Sequence, residues 1–301
     1  MSIELIEPTV LFNILQQKTY YPQLSDNYFL LLLDARESHE YAESHIVTAR
    51  RAPRDPESTN FLVPYDAELE CKKKIIVYDG NTNSFDDTST PAVQYATMLA
   101  DMGSKYSVGV LAGGYEMFSA SYPFLRNKKI IYMPRELDSI KTYPSEIIPG
   151  KLYLGTHSQA LDKTIQKELK IRVHVHCTEE ETTFEKISSF GGGKNSFFRI
   201  SEPDDNNANL SSYFNDVFQF IERALSNSNA VLVYSDRGIS RAPTIVIAYL
   251  MRKNESSLTD AYKHVLNCKV NMRPIREFME QLLQDEKSLG FHSTELVDYF
   301  F

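Results

Sequence analysis

The residues with the most potential for chemistry lie in one short loop at positions 235–241. An apolar run at 230–234 predicts a buried strand before the loop, and a helix is expected to begin near Pro243. A strand, a glycine-containing loop and a helix N-terminus together direct backbone N–H groups at a bound anion. Gly238 permits a tight path, and the fork of Arg241 can hold two phosphoryl oxygens. The predicted phosphate-binding residues are Ser235, Asp236, Arg237, Gly238, Ile239, Ser240 and Arg241.

A surface arginine after an ordinary turn would give the same local pattern, so the wider context matters. Residues 231–243 and 248–251 resemble the active-site segment of dual-specificity phosphatases, which reads His-Cys-x-x-Gly-x-Ser-Arg-Ser and then Ala-Tyr-Leu-Met. Residues 144–149 and 152–155 resemble the start of that catalytic domain. Residues 203–210 resemble the loop that carries the general acid, and Asp204 takes the position of the acid.

The resemblance also shows where this chain departs from the family. Ser235 stands at the position of the nucleophilic cysteine, and Tyr234 stands at the position of the histidine. The family reaction needs a thiolate, whereas a serine hydroxyl needs an adjacent base to become nucleophilic. Ile275 follows Pro274 where the family has asparagine, and Asp236 is expected to point outward. We therefore predict a loop that retains phosphate binding and lacks catalysis.

The first half of the chain resembles a rhodanese-type domain of the kind that precedes the catalytic domain in MAP-kinase phosphatases. Residues 33–36, 40–41 and 44–46 carry this resemblance. Asp79 occupies the position of the rhodanese cysteine, which implies that sulfur transfer is lost. The nearest counterpart of the basic kinase-docking patch is a group of three arginines, for which a solvated loop is the alternative interpretation: Arg50, Arg51 and Arg54.

The elements that must position these residues follow an α/β pattern. Short apolar runs alternate with amphipathic stretches in the first half, which indicates parallel strands covered by helices. Prolines at 134, 144 and 149 mark a boundary. We predict a rhodanese-like three-layer domain at 1–132, a linker at 133–142 and a dual-specificity-phosphatase-like α/β domain at 143–292, with a glycine-rich loop at 191–193.

Composition limits the possible ligands and compartments. The chain has 301 residues, with 40 acidic against 32 basic side chains, which argues against direct binding of nucleic acid. Its N-terminus lacks signal-peptide and presequence patterns, and its apolar runs are too short to span a bilayer. Three scattered cysteines fit a reducing compartment. These patterns predict a cytoplasmic protein, and only the family resemblance implies mitochondria as a second location. His174 and His176 could share one face of a strand, but we predict no metal and no cofactor.

Together these features resemble the pseudophosphatases of the serine/threonine/tyrosine-interacting group. That resemblance implies a non-enzymatic regulator of phosphoproteins, kinases or other phosphatases, linked to stress granules, apoptosis and a mitochondrial phosphatase. Its implied partners include a stress-granule scaffold protein and MAP kinases. Two alternatives stay open: a weak residual phosphatase that uses Ser235 or water with Asp204, and a scaffold that acts only through the rhodanese-like domain.

Overall fold

The computed structural model describes residues 2–18, 24–131, 136–137, 139–179 and 197–290. Contacts between Cα atoms divide the chain into two units, Met1–Thr142 and Tyr143–Phe301. The predicted glycine-rich loop at 191–193 lies outside the described residues. So do parts of the predicted linker 133–142 and the last two positions of the predicted second domain. Within the described ranges, no helix is long and apolar enough to span a membrane.

The first unit contains a five-stranded sheet in the order β1-β6-β5-β2-β4, and all its pairings are parallel. Its strands β2 and β5 are buried through most of their length because both faces of a parallel sheet are covered. A separate antiparallel pair joins β3 to β7. The strands are β1 Ile3–Ile6, β2 Leu30–Asp34, β3 His45–Ile46, β4 Arg50–Arg51, β5 Lys74–Tyr78, β6 Val108–Leu111 and β7 Arg126–Asn127.

Helices pack against the strands of this sheet. Proline opens both α1 and α3, where its missing N–H would be unpaired in any residue. Glu37 and Glu40 form a reciprocal capping box at the start of α2. Helix α3 buries Tyr95 and Leu99 against the strands. The helices are α1 Pro8–Leu15, α2 Ser38–Glu43, α3 Pro91–Asp101 and α4 Gly114–Ser121.

The second unit contains a five-stranded sheet in the order β11-β10-β12-β9-β8, with β8 antiparallel to β9 and the other pairings parallel. The predicted strand before the loop is confirmed as β12, which lies at the centre and is buried at every residue. The loop at 235–241 therefore emerges at the carboxyl edge of a parallel core. The strands are β8 Ser145–Ile148, β9 Leu152–Thr156, β10 Ile171–Cys177, β11 Phe197–Ile200 and β12 Ala230–Ser235.

Helix α8 follows the loop and is buried continuously from Arg241 to Met251. It begins two residues earlier than predicted, because the Thr244 N–H donates to the Ser240 carbonyl and closes a first turn that contains Pro243. The segment 210–225 forms a short 3-10 turn and then α7, which packs Phe214 and Val217 into the core. The helices are α5 His157–Leu161, α6 Lys163–Glu168, α7 Phe214–Ser226, α8 Arg241–Lys253, α9 Leu258–Cys268 and α10 Arg276–Ser288.

The fold class is confirmed for both halves. The first unit is an α/β layer structure around an all-parallel sheet, and the second is an α/β domain around a mixed sheet. In each unit, a parallel strand ends in a loop that leads to a helix N-terminus.

Candidate functional site

The loop after β12 is shaped by a glycine in the left-handed region. Gly238 has φ +65°, and a Cβ atom at this position would lie 2.4 Å from the carbonyl oxygen of Gly155 on β9. A larger residue would therefore meet both backbone strain and a clash with a neighbouring strand. The loop rests directly on the end of β9, which fixes its path between Ser235 and Arg241.

Several hydrogen-bond donors of the loop are available to a ligand. In the described part of the chain, the backbone N–H groups of Arg237, Ile239 and Ser240 have no acceptor. The Ser240 hydroxyl is also buried without a partner, on a residue that is 5% exposed. These donors lie at the N-terminus of the 13-residue helix α8, whose dipole favours negative charge. The arrangement is that of an anion site.

Arg241 is buried, and three acidic residues of the chain lie around its guanidinium group. Its Nη1 donates to the Glu202 carbonyl oxygen at 2.9 Å, and its Nη2 is paired with the Asp236 carboxylate. Its Nε has no hydrogen-bond partner, although Oδ2 of Asp204 lies 4.0 Å away. The prediction that Asp236 points outward is wrong, because the attraction of the adjacent guanidinium draws its carboxylate onto Arg241. The Glu202 anchor has no sequence signal, since any residue can supply a backbone carbonyl.

These groups line a pocket of about 400 Å³. Asp204, at the general-acid position, contributes a carboxylate to the same pocket as the loop. Arg273 and Ile275 enter from the segment before α10, where the Arg273 N–H donates to the Ile239 carbonyl at 2.7 Å. Sequence reasoning identified Ile275 as a lost asparagine but did not identify Arg273 as a pocket residue. The sequence signal for Arg273 would have been a basic side chain directly before Pro274, close to the position of the lost asparagine.

Tyr234, at the histidine position, lies in an aromatic cluster beneath the loop. Its ring stacks on His176 with centroids 5.0 Å apart and an interplanar angle of 12°. The Tyr234 hydroxyl and both ring nitrogens of His176 are buried without partners. Burial raises the pKa of Tyr234 and lowers the pKa of His176 to about 4, so both side chains are neutral at pH 7. His176 therefore packs as an aromatic ring.

The neighbouring histidine and cysteine of β10 have structural roles. His174 makes a 2.9 Å hydrogen bond to Oε1 of Gln166, and burial lowers its pKa to about 4. Cys177 is fully buried at the end of the strand, and burial raises the pKa of its thiol to about 12. A thiol with that pKa is not a thiolate at neutral pH and cannot replace the nucleophile that position 235 lacks.

Ser235 makes one side-chain hydrogen bond among the described residues. Its Oγ accepts a 3.1 Å hydrogen bond from the Gly238 N–H, and the residue is 3% exposed. In the same part of the chain, no imidazole or carboxylate hydrogen-bonds to this hydroxyl, although a serine nucleophile needs an adjacent base. The hydrogen bond stabilises the turn of the loop.

In the first unit, Asp79 lies at the position assigned to the rhodanese cysteine and is 5% exposed. Its Oδ1 accepts from the backbone N–H groups of Asn81 and Thr82, at 3.2 and 2.9 Å. Its Oδ2 accepts from the Thr82 hydroxyl at 2.6 Å and from the Ala92 N–H at the start of α3 at 3.1 Å. The carboxylate thus fills the anion position of its own loop.

The three arginines proposed for docking differ in their contacts. Arg50 pairs with Asp66 at 3.0 Å. Arg54 lies 3.4 Å from Glu37 Oε1 and stacks over the Phe61 ring at 4.5 Å. Arg51 is exposed and donates a 2.6 Å hydrogen bond to the Ser38 hydroxyl, with no ion pair in the ranges that the structure covers. Of the three, Arg51 has the charge that is most available to a partner.

Models of two known families each match a segment of one unit. The model of the family described as "Dual specificity phosphatase, catalytic domain" matches residues 152–288, and that of the "Rhodanese-like domain" matches residues 17–121. Human "Dual specificity protein phosphatase 16" is 29% identical over 281 residues, which cover 86% of this chain and 41% of the relative. Chicken "Dual specificity protein phosphatase 4" is 28% identical over 295 residues, covering 86% of this chain and 76% of the relative.

Among solved structures, the human tyrosine phosphatase-like serine/threonine/tyrosine-interacting protein is similar to one half of the chain. It is 25% identical, with a TM-score of 0.43, and the match covers 50% of this chain and 99% of that one. The chain spans less than half the length of the first three curated relatives that it matches, at 41%, 34% and 30%.

Proposed function

This chain is related to the dual-specificity phosphatases and carries a rhodanese-like domain ahead of the phosphatase-like one, and on that premise we propose that it is a catalytically inactive phosphoprotein-binding regulator. The observation that carries the proposal is that residue 235 is a serine. Among the described residues its hydroxyl accepts a hydrogen bond from Gly238 and contacts no base, and a serine without a base is a poor nucleophile for phosphoryl transfer.

Phosphate binding is supported by the groups that the loop retains. Arg241 is buried and its Nε makes no hydrogen bond, and the Ser240 hydroxyl and three backbone N–H groups have no protein acceptor in the described part of the chain. Donors that are buried without partners cost free energy, and an anion in the pocket would satisfy them together. The proposed ligand is a phosphorylated serine, threonine or tyrosine on a partner protein.

The proposed cellular role follows the finer resemblance of the sequence, which is to the pseudophosphatase MK-STYX, the serine/threonine/tyrosine-interacting-like protein. On this basis the proposed partners are a stress-granule scaffold protein, a mitochondrial phosphatase and MAP kinases, with effects on apoptosis. The proposed location is the cytoplasm, with mitochondria as a second site. For the first unit we propose kinase docking through Arg51, which is supported by its exposure and its freedom from the ion pairs that engage Arg50 and Arg54.

A binding titration tests the central proposal. Fluorescently labelled phosphotyrosine and phosphothreonine peptides are titrated with the full chain and with Arg241→Lys, which keeps the charge but removes the fork. We expect the lysine variant to bind about tenfold or more weakly, because a charge-assisted hydrogen bond contributes about 1.5–3 kcal/mol and about 1.4 kcal/mol is a factor of ten. Arg276→Lys, at an exposed arginine of α10, is the matched control.

Two results would contradict the proposal. Equal affinity of the wild type and Arg241→Lys would show that the pocket does not carry binding. Turnover of an aryl phosphate by the unmodified chain, abolished by Ser235→Ala or by Asp204→Asn, would show a residual phosphatase in place of an inactive one. Recovery of every partner with residues 1–142 alone would favour the scaffold alternative.

A further inference from the structure

The pocket already contains an anion supplied by its own loop. Asp236 pairs with Nη2 of Arg241, and the two side chains differ greatly in exposure: 47% for the aspartate and 5% for the arginine. The fixed partner is therefore the guanidinium, which the Glu202 carbonyl also holds. The carboxylate reaches it from the rim of the pocket, where water can solvate the aspartate if the pair separates.

Asp236 satisfies only part of what the pocket offers to an anion. While Asp236 is paired, neither the Nε of Arg241, which lies 4.0 Å from Oδ2 of Asp204, nor the buried hydroxyl of Ser240 makes a hydrogen bond among the described residues. In the described chain, the backbone N–H groups of Arg237 and Ile239 also lack acceptors. A planar carboxylate has two oxygens and is tethered to the loop by one methylene group. A tetrahedral phosphate ester has three free oxygens, enough to contact the guanidinium and the loop N–H groups together.

We propose that Asp236 is an internal competitor that occupies Arg241 until a phosphate monoester displaces it, and that it thereby keeps carboxylate groups of other proteins out of the pocket. This inference rests on the proposed phosphate-binding function and names the residue that sets the affinity of that site. A carboxylate from another protein would make the same contact with Arg241 that Asp236 makes. Asp236 has the higher effective concentration at Arg241 because it belongs to the same loop. A phosphate ester can also accept hydrogen bonds from the loop N–H groups and the Ser240 hydroxyl.

The pocket also provides a destination for the displaced carboxylate. Arg237 and Arg273 line it, both are exposed, and neither takes part in an ion pair within the ranges that the structure describes. A displaced Asp236 side chain can approach one of these guanidinium groups while phosphate occupies Arg241. Displacement then exchanges one ion pair for another at the solvent-exposed rim, and no buried charge is left uncompensated.

The test compares the full-length wild type with Asp236→Asn in titrations of three peptides of one sequence. One peptide carries phosphotyrosine, one tyrosine and one glutamate at the central position. We expect Asp236→Asn to bind the phosphotyrosine peptide about tenfold more tightly, because the variant removes both the competing pair and the repulsion between two anions. Wild-type protein should not bind the glutamate peptide measurably.

Asp205→Asn is the matched control. It removes the same charge from the segment that carries Asp204, and it keeps an oxygen for the hydrogen bond from the Asn207 N–H. We expect its affinity to equal that of the wild type. Asp236→Ser is a second variant that removes the carboxylate with a different side chain, so an effect of the asparagine amide itself would be recognised.

The outcomes separate this inference from the function on which it rests. Measurable phosphopeptide binding with equal affinities in the wild type and both Asp236 variants would overturn the internal competitor and leave the binding function intact. Tight binding of the glutamate peptide to wild type would overturn the exclusion of carboxylates. Absence of phosphopeptide binding in all variants, including Asp236→Asn, would overturn both the proposed function and this inference.

Discussion

The loops after β5 and after β12 are two versions of the same local architecture. Each follows a buried parallel strand and leads to a helix N-terminus, and each has an aspartate carboxylate at its anion position. In the first loop, Asp79 accepts hydrogen bonds from groups of the loop and of α3, and it is nearly inaccessible. In the second, Asp236 is half-exposed, and buried donors beside it remain unpaired.

An aspartate in the loop after the strand therefore closes the first site and leaves the second accessible to a ligand. Asp79 is hydrogen-bonded within its loop, so replacing it should lower the stability of the first unit. Asp236 contacts Arg241 from the solvent-exposed rim, so replacing it should change ligand binding. Four experiments, described in order of decreasing effect, test whether the two loops differ in this way.

The largest effect is expected when the missing chemistry is restored in the second loop. Tyr234→His combined with Ser235→Cys should produce phosphatase turnover on an aryl phosphate, which we do not expect from the unmodified chain, because the loop donors and Asp204 are already in place. Asp79→Cys in the first loop is the matched variant and should give no phosphatase activity. Persistent inactivity of the double variant would show that Asp236 or Ile275 also blocks catalysis.

The second experiment compares the stability contributed by the two carboxylates. Asp79→Ala should lower the free energy of unfolding of the first unit by about 3 kcal/mol, since it leaves buried N–H groups without an acceptor. Asp236→Ala should cost the second unit only about 1 kcal/mol, because the aspartate is half-exposed and the buried guanidinium of Arg241 keeps the Glu202 carbonyl and the nearby Asp204 carboxylate. Hydrogen exchange resolved along the chain reports each unit separately. Equal losses at both positions would remove the distinction between a closed and an open site.

The third experiment tests the support of the second loop. Gly238→Ala should cost about 2–3 kcal/mol, because the new Cβ adds a clash with the Gly155 carbonyl to the strain of positive φ. Gly150→Ala is the matched control, since Gly150 has φ +67° but no atom within 4 Å of the position that a Cβ would take, so only about 1 kcal/mol is expected. Denaturant unfolding measures both. Similar costs would show that the contact with β9 does not hold the loop.

The smallest effect concerns pH. Burial lowers the pKa of His174 and His176 to about 4 in the folded chain, against about 6.5 when unfolded. Between those values the unfolded chain binds more protons, so the second unit loses stability as pH falls, by at most about 1.4 kcal/mol per pH unit for each histidine. His176→Phe should keep the stack with Tyr234 and reduce this slope. The exposed His39→Gln in the first unit should leave it unchanged, and an equal slope in His176→Phe would contradict the assignment.

Much of the framework could be predicted from sequence because its signals are local. The apolar run of β12, the glycine at 238 and the proline in the first turn of α8 each dictate structure through their own backbone or burial preferences. The partners of Arg241 could not be predicted in the same way. Glu202 contributes a main-chain oxygen from a distant loop, and the direction of Asp236 depends on a guanidinium position that exists only after folding.

The cluster beneath the loop illustrates the same limit. The sequence identifies Tyr234 as a missing histidine, yet its contact with His176 depends on the register of β10 with β12, which places the two residues opposite each other. Strand register is a long-range property, and two short apolar strands permit several registers. The role of His176 as a buried ring was therefore accessible only from the assembled sheet.

The contact between Gly238 and Gly155 has a consequence for how such a chain can change over generations. Any side chain at 238 would strike the β9 backbone, and a Cβ at 155 would meet the side chains of Gln159 and Pro144 at 2.8 and 2.9 Å. The curvature of the loop is thus imposed by packing of the domain interior, independently of whether residue 235 can react. A serine at 235 relaxes no part of this packing constraint, so the residue at the reacting position can change while the concave backbone around it keeps its shape.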